Sequence, residues 1–429
     1  MKTLFKSIIV TLLTWEAKRV LRAHNPKIIA ITGTVGKTTT KDALFEVIRL
    51  KYKNARKNQK SFNSEIGVPL TILGAPNGWG NPFLWAFILL RGLFAPYQKN
   101  YPKVLVLEAG VDKPNDMVLT TSIIKPDITF FTDFSGTPVH VSNFKSTNDV
   151  LSEKAILLQN TKKDGVIFLG GDHEFLKDLQ KLSNHVAHIY TYGRANDKDV
   201  RGEHEIVQKN NSYVEKITAH IKEKQIVVEI EGALGGGYMY AVCAGLALAH
   251  HEQIDFDEAK EALHHIPLAP GRMRIIKGVK GSIIIDDTYN SSPKATINAL
   301  MTLKNIPIKG KRFVILGDMR ELGEKTEEAH RAIGQQVATI ADRAYFVGPC
   351  ERYYADGALD GGMSDLDIHE YETAQEAGKE VEKEIKEGDI VLIKGSQGVR
   401  MERAVLEIMA QPENAKELLV RQDSEWENR

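Results

Sequence analysis

A nine-residue loop rich in glycine and threonine carries the clearest chemical signal in the sequence. The apolar residues 28–31 lead into TGTVGKTTT at 32–40, and a helix is predicted from about Lys41. Strand, glycine loop and helix N-terminus together bind a triphosphate, because glycines let backbone N–H groups approach the phosphate oxygens. Lys37 would neutralise the β- and γ-phosphates, and the Thr38 hydroxyl would bind Mg²⁺. The predicted nucleotide contacts in this loop are Gly33, Thr34, Gly36, Lys37, Thr38 and Thr39.

The loop departs from the commonest phosphate-binding pattern at one position. Ile31 stands where a Walker A motif has its first glycine. A GKT triplet also arises by chance or for packing, so other polar positions must support the assignment.

Several polar residues follow predicted strands. Glu108 ends the strand at 104–107, and Asp287 and Asn290 follow the strand at 283–285. Parallel sheets bind ligands at the carboxyl edge of their strands, so these side chains are candidates for a site. On the residues alone, Glu108 can equally be a loop charge, and DDTYNSSP at 286–293 a capped turn. Analogous strand ends carry Asp318, Lys394 and Ser396.

Composition sets the class of protein. The 429 residues contain 56 Lys and Arg against 56 Asp and Glu, so no global field attracts nucleic acid. Cys243 and Cys350 lie far apart and match no metal-ligand spacing. No cleavable signal is evident, and a reducing cytoplasm fits best.

Alternating strands and helices predict the domain organisation. From 27 to about 190 short β-rich runs alternate with helical stretches, which indicates a mostly parallel sheet with helices on both faces. The alternating polarity of residues 204–231 predicts a small antiparallel excursion, that is, a few antiparallel strands within the mostly parallel domain. A second βα series begins after Pro270-Gly271. The predicted units are an N-terminal amphipathic helix at 1–26, a central domain at 27–268 with a hydrophobic insertion at 77–100, and a C-terminal domain at 269–429.

Seven segments appear in a characteristic order along the chain. They are TGTVGKTTT at 32–40, SFNSEIGVPLTIL at 61–73, LEAGVDKPNDM at 107–117, PGRM at 270–273, DDTYNSSP at 286–293, LGDMRELGE at 316–324 and KGSQGVRME at 394–402. Together they resemble the Mur ligases over roughly residues 26–410. The resemblance implies an α/β fold, with a central P-loop parallel-sheet ATPase domain followed by a C-terminal Rossmann-like α/β domain.

The resemblance also implies an activity. Within the family, the segments are most similar to members that add D-alanyl-D-alanine to a UDP-muramoyl tripeptide, a peptidoglycan precursor. Such ATP-dependent carbon–nitrogen ligases phosphorylate a substrate carboxylate, and an amine then displaces phosphate from the acyl phosphate. A monomer acting on small-molecule or carrier-linked substrates is expected. Two alternatives stay open: a related amide ligase with another carboxylate and amine, and a non-catalytic nucleotide-binding homologue.

The metal ligands follow from the same resemblance. Glu108 and Thr38 match the ligands of one Mg²⁺ ion, and His140, in TDFSGTPVH at 132–140, matches the histidine of a second. On the residues alone, His140 can be a structural hydrogen-bonding histidine.

Lys154, in SEKAILL, matches the lysine that the family carries as a carbamate. A carbamate is an anion that can lie beside Mg²⁺, whereas an ammonium group would repel the metal. The alternative is a surface lysine paired with Glu153. The resemblance therefore implies two Mg²⁺ ions, metal contacts at Thr38, Glu108, His140 and Lys154, and catalytic roles for Lys37, His140, Lys154 and Arg272.

The second domain is expected to complete the site. Arg272, after Pro270 and Gly271, stands at the inferred hinge and would reach the ATP phosphates on closure, or else form an interdomain salt bridge. By resemblance Asp287 and Asn290 contact the nucleotide, with the carboxylate suited to ribose hydroxyls. The alternative for Asp318 is that it only orients a loop. Substrate contacts are assigned to Asn63, Ser64, Glu65, Asp318, Lys394 and Ser396.

Two departures from the family are expected to matter. The family usually begins with a domain that holds UDP, whereas about 26 residues precede the phosphate loop here. The usual Gly-x-His-Asn segment and its further Asn, which approaches the adenine, are replaced by ALGGGYMYAVCAG at 233–245, with Gly237, Tyr238 and Ala241 at those places. Stacking on Tyr238 or Tyr240 is one way to hold the base.

Two apolar segments have two interpretations each. Residues 1–22 place apolar side chains at helical spacing beside five basic residues, and residues 77–100 contain two Trp and three Phe. The first segment is either a helix packed on the next domain or a basic amphipathic helix on a membrane surface. The second is either a buried helical insertion or a hydrophobic surface for a membrane or partner.

Overall fold

Two sheets, each built mainly of parallel strands, organise the chain. The computed structural model describes residues 2–59, 62–134, 143–209, 212–422 and 426. The predicted α/β class and the two sheet-forming series are confirmed.

The first sheet has the strand order β2-β3-β1-β4-β5-β6-β7-β8-β9. Its strands are β1 Lys27–Thr32, β2 Ala55–Lys57, β3 Val104–Glu108, β4 Ile128–Phe131, β5 Val166–Gly170, β6 His188–Gly193, β7 Val200–Lys209, β8 Ser212–Ile221 and β9 Lys224–Glu231. β7, β8 and β9 are antiparallel neighbours, which confirms the predicted excursion. β1 is nearly continuous in apolar residues because both faces of this inner strand are covered.

The second sheet has the order β10-β11-β15-β12-β13-β14, and β10 is its antiparallel edge strand. Its strands are β10 Arg274–Lys277, β11 Ile283–Asp287, β12 Arg312–Gly317, β13 Arg343–Val347, β14 Ile368–Tyr371 and β15 Ile390–Lys394. The strand predicted at 283–285 is β11, and the second βα series predicted after Pro270-Gly271 continues through β12, β13 and β15.

Helices cover both sheets. Those of the first half are α1 Lys2–His24, α2 Lys37–Lys51, α3 Gly67–Leu73, α4 Pro82–Phe94, α5 Asp116–Ile123, α6 Thr147–Gln159, α7 Leu176–Leu182, α8 Gly236–Glu252 and α9 Phe256–His264. Those of the second half are α10 Pro293–Asn305, α11 Thr326–Ala338, α12 Glu351–Asp360, α13 Ala374–Glu384, α14 Glu402–Ile408 and α15 Ala415–Leu418.

The first sheet separates two hydrophobic clusters. α2, α8 and α9 share one cluster with side chains of β1, β3 and β4, and α1, α3, α4 and α5 share another with the alternate side chains of β1 and β3. This division follows from the alternation of side chains along a strand. It leaves the carboxyl ends of the parallel strands free to carry the polar site.

The connection between the sheets is itself hydrogen-bonded. Ala233 and Arg274 form an antiparallel bridge, and the Leu234 N–H donates to the Met273 carbonyl at 3.0 Å. The predicted boundary at 268/269 falls in this connection and stays a prediction.

Both apolar segments form helices that are half buried. In α4, Trp85, Ile88 and Gly92 are buried, whereas Phe83 is 85% exposed. Residues 77–100 therefore contain a helix with one buried face and one exposed face, which lies between the two interpretations. Among the described residues, no helix combines the length and hydropathy that crossing a bilayer requires.

Candidate active site

The phosphate loop joins β1 to α2. β1 ends at Thr32, and α2 begins at Lys37, directly after Gly36. Gly36 is the N-cap, with φ 82°, a left-handed conformation that glycine adopts without strain. A Cβ at Gly33 would lie 2.0 Å from Thr132 Oγ1, so the close approach of β4 requires glycine here. The loop thus ends at a helix N-terminus, which favours a bound anion.

The neighbouring strand fixes the shape of the loop. The N–H groups of Thr34 and Val35 donate to the carbonyl oxygen of Asp133 at 3.0 and 3.4 Å. Asp133 follows β4, which pairs directly with β1. These two hydrogen bonds fix the backbone of the loop, as a preformed phosphate cradle requires.

Glu108 lies at the centre of the site. It stands opposite Ile31 in the sheet register and is 3% exposed. The Thr38 hydroxyl donates to Glu108 Oε2 at 3.0 Å, and Asn63 Nδ2 donates to Oε1 at 3.1 Å. Arg272, from the other side of the hinge, donates from NH2 to Thr38 Oγ1 at 3.1 Å. Both halves of the molecule therefore meet at one threonine hydroxyl.

The pKa values of Glu108 and Lys37 are both lowered, for different physical reasons. Burial alone would raise the pKa of the Glu108 carboxyl, but the cations Lys41, Lys37 and Arg272 outweigh it and hold the pKa below its ordinary value. Burial lowers the pKa of the Lys37 ammonium, although Glu108 opposes that effect. The carboxylate is ionised, and a bound phosphate would stabilise the Lys37 cation.

Lys154 is a buried residue of α6, 4% exposed. Burial, and next the Lys37 ammonium, lower its pKa to about 7 against the opposing effect of Asp112 and Glu108. Glu153 instead accepts a hydrogen bond from the Met117 N–H at 2.8 Å. The alternative of a surface lysine is therefore wrong. Near neutral pH much of this side chain is a neutral amine.

His140 lies outside the described residues. Its predicted role at a second metal ion stays a prediction.

Consecutive aspartates hold the hinge on both sides of Arg272. The Gly271 N–H donates to Asp286 Oδ2 at 3.1 Å, and the Met273 N–H donates to Asp287 Oδ1 at 3.2 Å. Burial raises the pKa of Asp286 to about 6. The Arg272 guanidinium lies 4.1 Å from the centre of the Tyr289 ring. These contacts orient Arg272 towards the phosphate loop.

Asp287 and Lys394 are partners at the carboxyl edge of the second sheet. They are register neighbours on β11 and β15, and Lys394 Nζ lies 2.5 Å from Asp287 Oδ2. Lys394 also donates to the Asn290 carbonyl at 3.0 Å. The structure thus joins two residues predicted for the nucleotide with one predicted for the amine substrate.

Asp318 and Ser396 meet at the same edge. The Ser396 N–H donates to the Asp318 carbonyl, and the Cys350 N–H donates to the Asp318 carboxylate, both at 3.0 Å. Ligand atoms of Asp318, His330 and Cys350 also lie within 4.8 Å of one another. The His330 Nε2 accepts from the Met319 N–H at 3.0 Å, and its Nδ1 lies 2.6 Å from the Thr326 carbonyl. Both ring nitrogens are engaged, so this cluster is not arranged for metal binding.

The start of α8 excludes one way of holding adenine. Tyr238 is 4% exposed, and its hydroxyl donates to the Arg272 carbonyl at 3.3 Å. Stacking of a base on Tyr238 is therefore wrong, because the ring belongs to the core. Tyr240 is half-buried and donates to Asp172 Oδ2 at 2.8 Å.

Sequence reasoning missed Lys41 and Asp286. Lys41 Nζ lies 3.8 Å from Glu108 Oε2, and its position one helical turn after Lys37 was a usable signal. Asp286 holds the hinge, and only its place beside Asp287 in the sequence pointed to it.

Comparisons with known proteins agree with this geometry. The model of the Mur ligase middle domain matches residues 31–249, about half of the chain, and that of the Mur ligase glutamate ligase domain matches residues 271–397. The UDP-N-acetylmuramoyl-tripeptide–D-alanyl-D-alanine ligase of Bacillus subtilis is 26% identical over 404 residues, which are 94% of this chain and 80% of that protein. The enzyme of the same name from Haemophilus influenzae is 25% identical over 328 residues, 76% of this chain and 64% of that protein.

A solved structure shares the fold. The crystal structure of the MurF ligase from Thermotoga maritima in complex with ADP superposes with a TM-score of 0.75 at 23% identity, over 93% of this chain and 83% of that chain. The match to the C-terminal domain begins at residue 271, directly before Arg272, and the match to the middle domain ends at residue 249. The chain belongs to the Mur ligase family and is an ATP-dependent carbon–nitrogen ligase.

Proposed function

We propose that this enzyme joins D-alanyl-D-alanine to the carboxylate of UDP-N-acetylmuramoyl-tripeptide, a peptidoglycan precursor, and converts ATP to ADP and phosphate. The names of the relatives from B. subtilis and H. influenzae support the substrates. The hydrogen bond from Arg272 to Thr38 carries the mechanism, because it brings the hinge of the second domain to the phosphate loop.

The chain's own residues activate the carboxylate by placing charge around the γ-phosphate. Lys37 and Arg272 bind the phosphate oxygens and stabilise negative charge in the transition state. The substrate carboxylate oxygen attacks phosphorus, ADP leaves, and an acyl phosphate forms. The amine then attacks the carbonyl carbon, and phosphate leaves with the bonding electron pair. Holding both substrates between the domains reduces the entropic barrier.

Two Mg²⁺ ions are part of the proposal. Thr38 and Glu108 would hold the first, since a hydroxyl and an ionised carboxylate are the oxygen donors that Mg²⁺ prefers. His140 and a carbamylated Lys154 would hold the second. Bound Mg²⁺ supplies positive charge to the phosphoryl group during transfer.

The carbamate at Lys154 is supported by burial. A neutral amine attacks CO₂, the new N–C bond forms, and one proton is released to solvent. The product is an anion beside the Lys37 ammonium, where an unmodified Lys154 cation is disfavoured.

The remaining residues are assigned to the substrates. Asn63, Ser64 and Glu65, near the phosphate loop, would bind the acceptor peptide. The edge of the second sheet would bind the amine through Asp318, Lys394 and Ser396. We place the enzyme in the cytoplasm, where ATP is available, with a peripheral contact to the inner face of the membrane.

A substrate panel tests the proposed reaction. Purified protein is incubated with ATP, Mg²⁺, the UDP-linked tripeptide and either D-alanyl-D-alanine or single amino acids, and products are identified by mass. The dipeptide adduct should dominate, and a folded Lys37→Ala variant should not form it. Equal or faster ligation of a single amino acid would assign the enzyme to a different amide ligase reaction.

A further inference from the structure

Two helices on one side of the first domain expose apolar stripes. On α1 the exposed residues are Phe5, Ile8, Leu12 and Trp15. On α4 the stripe consists of Phe83, Phe87, Leu90 and Phe94, and Leu93 is exposed as well. Steps of three and four residues place each set on one face of its helix. These eight residues define the α1–α4 surface.

Exposed apolar side chains are concentrated here. Eleven of the twenty large hydrophobic residues that are exposed in the described part of the chain lie within 5–15 and 79–97. Phe83 is 85% exposed and Tyr97 is 76% exposed. Single exposed apolar residues are ordinary, but a concentration of this size indicates a binding surface.

The opposite faces of the two helices are already packed. Leu13 and Ala17 of α1 are fully buried, and Trp85 and Ile88 of α4 belong to the same hydrophobic cluster. A Cβ at Gly92 would lie 2.0 Å from Glu16 Oε2, so the helices are in close contact. The exposed stripes are therefore additional to the core and are available for contact with another surface.

The charge of the two segments indicates what kind of surface binds the α1–α4 surface. Residues 1–24 contain five Lys and Arg and one acidic residue, the buried Glu16, while residues 74–103 contain three Lys and Arg and no acidic residue. Over the whole chain the two signs balance, at 56 each. The Arg19 guanidinium lies 4.7 Å from the Trp15 ring centre, a pairing suited to the interface between lipid headgroups and acyl chains. A second copy would bring two basic surfaces together, which disfavours a dimer through this face.

We propose that the α1–α4 surface docks on an anionic phospholipid bilayer. The exposed apolar and aromatic side chains enter the boundary between headgroups and acyl chains, and the basic side chains contact the phosphates. The inference deepens the proposed peripheral location and rests on it, but lipid binding is measurable without ligation.

Docking would bring the acceptor segment close to the membrane. Lys6 Nζ of α1 forms an ion pair with Glu65 Oε1 at 2.8 Å. Glu65 belongs to the segment assigned to the acceptor peptide. The enzyme would therefore receive its acceptor at the bilayer surface.

Vesicle co-sedimentation of the full chain tests the proposal. The wild type should sediment with vesicles of phosphatidylglycerol and phosphatidylcholine at low salt, and less at about 0.15 M salt, where charges are screened. It should bind pure phosphatidylcholine weakly. The double variant Phe83→Glu, Phe87→Glu should bind anionic vesicles more weakly than the wild type, by a factor of roughly ten or more. Point variants are preferable to deletion of α1, whose inner face is core.

Leu366 provides the matched control. It is 80% exposed and lies in the second half of the chain, so Leu366→Glu should leave vesicle binding unchanged. Ligation of soluble substrates should be unaffected in both variants, which separates loss of docking from loss of the proposed function.

Three results would overturn the proposal. The wild type could remain in the supernatant with anionic vesicles at low salt, or the double variant could bind as well as the wild type. Light scattering could also show a wild-type dimer that the double variant converts to a monomer, which would make a second copy the occupant.

Discussion

At Lys154, burial and the neighbouring Lys37 ammonium lower the pKa to about 7, so the side chain can react as a neutral amine near neutral pH. The Lys37 ammonium also favours the anion that CO₂ addition would produce. Glu153 raises the pKa of Lys154 only in part, and its carboxylate accepts a hydrogen bond from the Met117 N–H.

Replacing Lys154 should reveal the carbamate. Lys154→Ala is expected to lower kcat by about 100-fold or more, since it removes a charged group from the reaction centre. Acetate should restore part of the rate by supplying a carboxylate. The exposed Lys163, in the turn after α6, gives a control in Lys163→Ala with unchanged rate. Wild-type activity should also fall in CO₂-depleted buffer and return with bicarbonate, and full activity without CO₂ would refute the carbamate.

Among the elements, α1 and α4 are joined by an unusual contact. Glu16 is 2% exposed beside Gly92, and its Oε2 has no hydrogen-bond partner among the described residues. Burial raises its pKa to about 7, with only partial opposition from Arg19. The carboxyl is therefore protonated over a wider pH range in the folded chain than in the unfolded chain.

The stability of this helix pair should depend on pH. Between the unfolded pKa of 4.5 and the folded value of about 7, the folded state binds the additional proton, so stability falls as pH rises through that window. Because a shift of one pKa unit corresponds to about 1.36 kcal/mol, the free energy of unfolding can fall by roughly 3 kcal/mol across this window. Glu16→Gln should remove it, whereas the exposed Glu223→Gln should not. Urea unfolding, followed by tryptophan fluorescence at pH 5 and pH 8, measures the free energy of unfolding at each pH. An equal pH effect in the wild type and in both variants would contradict the assignment of this pH dependence to Glu16.

The elements also show how far sequence reasoning extends. The alternation of short apolar runs with helices predicted both sheets, because parallel strands covered on both faces have a distinctive composition. The position of Glu108, Asp287 and Asp318 at the ends of predicted strands identified them as site residues, because the carboxyl ends of parallel strands lie at one edge of a sheet. The contact of Asn63 with Glu108 depends on tertiary packing and could not be predicted locally, whereas the position of Lys41 one helical turn after Lys37 was a usable signal. The half-burial of α4 could not be predicted from the sequence either. An apolar helix has the same sequence pattern whether protein or lipid covers it.

For the whole molecule, contacts from both halves of the chain converge on the proposed site. Glu108 comes from β3 and Thr38 from the first turn of α2, Arg272 comes from the hinge, and Asp287 pairs with Lys394 at the edge of the second sheet. The aspartates that hold the hinge keep Arg272 directed at the loop. In the proposed reaction this arrangement would hold a nucleotide, a carboxylate and an amine close together, as a ligase that activates a carboxylate with ATP requires.

The fate of the acceptor's carboxylate oxygen tests this account most directly. The acceptor is labelled with ¹⁸O in the reacting carboxylate, ligation is run with unlabelled ATP, and the phosphate released is analysed by mass. Attack of that carboxylate on the γ-phosphorus, followed by cleavage of the C–O bond, predicts one ¹⁸O atom in the phosphate for each amide bond formed. Phosphate without label, alongside normal amide formation, would contradict activation of the carboxylate at this site.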